Sequence, residues 1–116
     1  MSLLAIARIT FEGVHAWGSQ PPDAPRRYLS TPHRHLFHVE VAIPVSHGDR
    51  QVEILELGRQ VRTLVGMTYP MTSDGDIDFG DRSCEHIAEM LAYKLQPFPQ
   101  YVRVFEDNEN GAEWRP

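Results

Sequence analysis

The sequence predicts a single α+β domain, residues 1–116, with elements in the order β-β-α-α-β-β. Three observations predict it. Two long segments near the N-terminus alternate apolar and polar residues with period two. Two central segments switch to helical spacing. The C-terminal stretch returns to a strand and is followed by Asn110-Gly111, a hairpin signal.

In residues 4–17, Ala5, Ala7, Ile9 and Phe11 share one parity and Arg8, Thr10 and Glu12 the other. That is the pattern of a half-buried strand, and Gly13, His15 and Trp17 continue its apolar side. Residues 18–32 contain four prolines and read as a loop long enough to carry function. Alternation resumes in 33–45, where Phe37, Val39, Val41, Ile43 and Val45 share a face with His33 and His35. His38 and Glu40 fall on the opposite face, and Ser46–Arg50 reads as a turn.

A helix is expected over 53–66 from Ile54, Leu57, Val61, Leu64 and Val65, followed by a polar loop from Gly66 to Gly80. The second helix carries the stripe Cys84, Ile87, Ala88, Leu91, Ala92 and Leu95. Ser83 is its expected N-cap, Glu85 suits the first turn, and Pro97 and Pro99 end it. Residues 100–106 form the next strand, and Ala112 to Trp114 the short return.

Composition narrows the function. A chain of 116 residues with 41% apolar content buries a modest core, so a cleft shared between subunits fits it better than a deep private one. Eleven basic residues against sixteen acidic ones, net −5, leave no nucleic-acid footprint. Arg26-Arg27 reads as a solvated pair in the loop, and a local basic spot for a small anion is compatible with the balance. Cys84 stands alone, so no internal disulfide forms, which suits a reducing, cytoplasmic compartment. The start MSLLAIARITFEG reads as a strand and not as a signal peptide, and no apolar run is long enough for a membrane span.

Six histidines are present, and three share the inward parity of consecutive strands. His33 and His35 point the same way, and His15 comes from the expected antiparallel neighbour. Converging buried imidazoles are costly unless satisfied, and a metal satisfies them. Three histidines without a fourth protein ligand make the open, catalytic type of zinc site. His38 reads as a solvent-facing strand residue, His86 as an exposed residue of a helix's first turn, and His47 as a turn residue.

At these residues the chain resembles the 6-pyruvoyl-tetrahydropterin synthase and 6-carboxytetrahydropterin synthase family. The segments FEGVHAW, PHRHLFHVEV and VRVFED carry the resemblance, with RQVEILELGR at 50–59 and Ser83-Cys84-Glu85 beside them. It implies zinc on His15, His33 and His35, and a pterin ring anchored by Glu106 with Ser83 and Glu85 nearby. It also implies the tunnelling fold: a four-stranded antiparallel sheet with two helices on one face. Such subunits assemble into trimers or hexamers whose sites lie at subunit interfaces. Glu106 follows the parity of Val102 and Val104, and a carboxylate there can accept two hydrogen bonds from the N–H/NH2 edge of a pterin.

The sequence departs from that family at three places. Leu29 stands where the catalytic cysteine is expected, Arg34 replaces glycine inside the H-x-H pair, and residues 66–80 lack the Asp-His pair. Candidate replacements are Cys84 at a helix N-terminus, His47 with Asp49 brought near by a neighbouring subunit, and the Asp74, Asp76, Asp78 cluster. Cys84 also lies on its helix's apolar stripe, and the aspartates also read as a solvated loop.

The leading expectation is a lyase acting on a dihydroneopterin triphosphate-like substrate, giving a 6-carboxy- or 6-pyruvoyl-tetrahydropterin in 7-deazaguanine or pterin biosynthesis. The alternative is a pterin- or purine-binding homologue that kept the metal and lost the chemistry. A third reading takes His33, His35 and Glu40 as part of a cupin-like motif, although Glu40 would face away from the histidines in a straight strand.

Overall fold

A computed structural model describes residues 2–18, 20–21 and 23–116. The elements are β1 (Leu3–His15), β2 (His33–Val45), α1 (Ile54–Thr68), β3 (Ile77–Gly80), α2 (Cys84–Lys94), β4 (Tyr101–Glu106) and β5 (Asn110–Trp114). A short 3-10 turn, Arg27–Ser30, lies in the proline-rich loop. The class is α+β, and the sheet has five strands in the order β3-β1-β2-β4-β5.

The expected strands are present as β1, β2, β4 and β5, paired antiparallel. The sheet itself is mixed, because β3 adds a fifth strand parallel to the end of β1. It arises inside the stretch expected to be a polar loop. Two anchors order it: Phe79 is fully buried, and Asp76 is buried and paired with Arg34 at 3.3 Å. Arg34 also reaches Glu12 at 3.1 Å, so the residue that interrupts the H-x-H pair ties β2 to β1 and to the approach of β3.

Both helices pack on one sheet face. The apolar parity of β1 and β2 (Ile9, Phe11, Phe37, Val39, Val41) meets Leu57, Val61 and Val65 of α1 and Ile87, Leu91 and Leu95 from α2 and its C-cap. Glu53 caps α1 by accepting from the Leu55 and Glu56 amides. The helix runs two residues past the expected end, to Thr68, and Pro70 stops it there. Ile54, expected on the buried stripe, is instead exposed on the first turn. Ser83 caps α2 as expected, accepting from the His86 amide at 3.2 Å.

The last hairpin turns earlier than Asn110-Gly111. Glu106 pairs with Asn110, and Asp107 and Asn108 make the bend with positive φ of 53° and 57°. Gly111 lies within β5 for a different reason: a Cβ there would sit 2.0 Å from the Val104 carbonyl oxygen.

Among the described residues, no helix covers the other sheet face. Glu40 binds Arg8 at 2.7 Å, Arg103 at 2.9 Å and the Tyr101 hydroxyl at 2.6 Å, while Glu113 links Arg103 and Arg115. Burial raises the Glu40 carboxyl, and the Tyr101, Arg8 and Arg103 contacts outweigh it and hold the group below the usual range. Among the described residues, no helix is long and apolar enough to cross a membrane.

Candidate metal centre

Strand register builds the centre. His15 pairs directly with His33 across β1 and β2, and His35 lies opposite Gly13. All three side chains therefore leave the helix-covered face at the loop end of the sheet. One ligand atom from each lies within 4.8 Å of the others. The rings meet edge to face, with centroids 4.7, 5.2 and 4.9 Å apart.

Each ring is held by its Nδ1. His15 Nδ1 lies 2.9 Å from the Arg82 carbonyl oxygen and His33 Nδ1 2.9 Å from that of Thr31. His35 Nδ1 lies 2.7 Å from Asp107 Oδ2. Carbonyl and carboxylate oxygens only accept, so each Nδ1 carries the proton and each Nε2 turns its lone pair to the shared centre. Asp107 is locked in turn, because its Oδ1 accepts from the Leu36 amide at 2.9 Å and its own amide donates to the Leu36 carbonyl. Those bonds, the Leu36 amide first and His35 second, hold the Asp107 carboxyl below the usual aspartate range. Asp107 was not among the expected site residues. The signal was an acid beside Glu106, but its reach to His35 depends on the bend at Asp107 and Asn108.

A carboxylate completes the cluster. Glu106 Oε1 is 3.1 Å from His15 Nε2, and Oε2 is 3.4 Å from His35 Nε2. His15 and His35 thus face acceptors at both nitrogens, an arrangement that calls for positive charge between the rings. Burial lowers the His15 pKa, outweighing the raising effects of the Arg82 carbonyl and Glu106. The donor set of three neutral imidazoles with an adjacent carboxylate fits a divalent metal ion.

The floor beneath the rings is aromatic. Phe37 lies 5.2 Å from His15 and 5.8 Å from His35 and packs on Phe79 at 4.7 Å. Gly13 makes this possible, since a Cβ there would lie 2.5 Å from Phe79 and 2.8 Å from Phe37.

Above the floor opens a cavity of about 740 Å³. It brings together the triad, Glu106, Ser83 and Glu85, six of the residues singled out from sequence. Trp17, Tyr28 and Leu29 line it from the proline-rich loop, which is fastened by the Trp17 amide to the Leu29 carbonyl at 2.7 Å. Leu29 gives that wall an aliphatic side chain and no nucleophile.

The replacement candidates fare differently. Cys84 is buried, and its thiol donates to Glu106 Oε1 at 3.7 Å. Burial, then the Glu106 charge, push its pKa up to about 12, so Cys84 follows the apolar-stripe reading and not the alternative of a reactive thiolate at the helix N-terminus. His47 and Asp49 are exposed at the far end of β2, roughly 40 Å along the strand from His33. The structure does not bring them to the triad within one chain. Asp76 is buried in its Arg34 pair and not solvated, Asp78 accepts from the Gly80 amide at 2.9 Å, and Asp74 is exposed. Glu40 is committed to Arg8, Tyr101 and Arg103 on the opposite face, which removes the cupin-like ligand set.

Neither comparison of the sequence, with models of protein families or with curated proteins, gives a match.

Proposed function

We propose that the chain is a zinc-dependent carbon-oxygen lyase acting on a reduced pterin of the dihydroneopterin triphosphate type, a divergent relative of the tetrahydropterin synthases. The observation that carries the reading is the convergence of three Nδ1-anchored histidines and an inward carboxylate in one cavity. That cavity's size lies within the usual range for small-molecule sites, about 300–1,000 Å³.

Bound by His15, His33 and His35, zinc supplies a Lewis acid for the oxygens of the substrate side chain. Glu106 accepts from the N–H/NH2 edge of the ring and orients it. Ser83 and Glu85 flank the ring from the start of α2, and Trp17 and Tyr28 offer aromatic faces from the loop. Phe37 and Phe79 keep water from beneath the triad. The tunnelling fold, a trimeric or hexameric assembly with the cavity between subunits, and a cytoplasmic location belong to the same proposal. The helix-free sheet face and the placement of the cavity at the sheet's end are in keeping with it.

The test is turnover. Zinc-loaded protein incubated with dihydroneopterin triphosphate should consume it, and His35→Ala should abolish the loss. Chromatography and mass identify a 6-carboxy- or 6-pyruvoyl-tetrahydropterin. One zinc per chain with no substrate loss would sink the enzyme. A binding homologue is the second reading, favoured by Leu29 in the cavity wall and the protonated Cys84. It predicts pterin binding without consumption.

A further inference from the structure

A pterin lyase must move protons, and the residues expected to do so are absent, displaced or inert. Of the cavity's titratable side chains, Asp81, Arg82 and His86 have no side-chain part in the site as described, and His86 is the imidazole among them. His86, in the first turn of α2, lines the cavity that holds the triad and Glu106, and it also lines a smaller neighbouring cavity of about 300 Å³. Its helix is stitched to the metal centre, because the Arg82 carbonyl that anchors His15 lies four residues before it. We propose that His86 is the acid/base residue of this site, taking the place of the Asp-His pair that residues 66–80 lack. This rests on the pterin reading above.

The surroundings suit the role. Ser83 Oγ accepts from the His86 amide at 3.2 Å and lies 3.4 Å from its Nδ1, so the N-cap residue steadies the ring. Among the described residues nothing engages Nε2, which leaves that nitrogen for substrate. The charged groups that share its two cavities are Asp81, Arg82, Glu85, Glu89 and Glu106. The ring is solvent-exposed, so it can exchange its proton with water between turnovers.

The step is a proton shift within the substrate. Nε2 takes the proton from the hydroxyl-bearing side-chain carbon next to the ring; the C–H pair forms a C=C bond to the ring carbon, and the π pair of the ring C=N bond moves onto its nitrogen. The ring nitrogen that gains electron density then receives the proton. The hydroxyl then gives up its proton and the ring carbon gains one, so the side-chain carbon ends as C=O and the ring C=N as CH–NH, an internal oxidation and reduction with no outside oxidant.

The experiment compares native protein and His86→Ala, both zinc-loaded, for zinc content, binding of dihydroneopterin triphosphate, and turnover. Since His86 is exposed, the variant should fold and hold one zinc, with substrate affinity within about threefold of native. Its turnover should fall about 10²–10⁴-fold, the usual worth of a general acid or base. Added imidazole should restore at least tenfold of that loss in the variant while giving no gain to the native chain. Turnover within fivefold of native, or a loss that imidazole does not relieve, overturns the assignment and leaves the lyase reading intact. Substrate bound by the native chain without turnover overturns the assignment and supports the binding reading. No binding at all overturns both.

Discussion

The two ends of the β1–β2 pair both carry histidine beside a concavity, and only one end is built as a site. At the loop end, three rings are fixed by groups from three separate parts of the chain: the Arg82 carbonyl before α2, the Thr31 carbonyl before β2, and the Asp107 carboxylate in the last hairpin. At the far end, among the described residues, His47 Nδ1 accepts only from the Asp49 amide two residues on, at 3.2 Å. Asp49 pairs with its neighbour Arg50, and both are largely in water, where such a pair contributes about 0–1 kcal/mol. The cavity there, about 550 Å³, is walled by Leu3, Val45, Ile54 and Leu55, and its polar residues are engaged locally: Gln51 by Ser46, Arg50 by Asp49 and Glu53 by the first amides of α1. Proximity of histidines in sequence is cheap, whereas agreement among distant segments about where each ring points is what distinguishes a ligand set.

The strongest way to break the contrast is to remove a ligand. His33→Ala should lower zinc affinity by more than about a hundredfold, beyond the 10–100-fold typical of an orienting partner. Competition with a chromophoric chelator would measure it, and retention of near-native affinity would show that the three rings do not share one ion. The next test removes orientation alone. Asp107→Asn keeps a residue suited to positive φ and an oxygen for the Leu36 amide, yet it takes the charge away from His35. Affinity should fall about 10–100-fold with the fold intact; an unchanged chelator titration would make Asp107 a turn residue only.

How much of this was legible in the sequence depends on how local the signal was. Alternation in residues 4–17 and 33–45 placed His15, His33 and His35 on one face, and register did the rest. Ser83 announced α2 because an N-cap is a matter of adjacent residues. The fifth strand was not legible, since Ile-Asp-Phe-Gly is only four residues long and sits in an acidic stretch, and its order comes from Phe79 and from Arg34 more than forty residues earlier. Asn110-Gly111 misplaced the hairpin because the same pair also serves a close strand approach. Cys84 was double-edged: its position at a helix N-terminus suggested a thiolate, and its burial beside Glu106 decides against one.

Smaller effects sharpen the comparison further. Gly13→Ala forces Phe37 and Phe79 apart beneath the triad and should cost about 1–3 kcal/mol in urea unfolding with an unchanged m value, the usual range for overpacking. A midpoint equal to native would mean that the aromatic floor yields without strain. At the bottom of the scale, His47→Ala should leave zinc affinity and the urea midpoint where they are, within about 0.5 kcal/mol, as for an ordinary surface substitution. A clear loss of zinc in that variant would place the far end of one subunit against the triad of another.

The uncovered sheet face has a consequence of its own. Arg8, Glu40, Arg103, Glu113 and Arg115 lie there as a lattice of alternating sign, each charge answered by a neighbour. Such a surface is wettable without being strongly attractive to either sign, so the strands can carry that face in water without a second layer of helices.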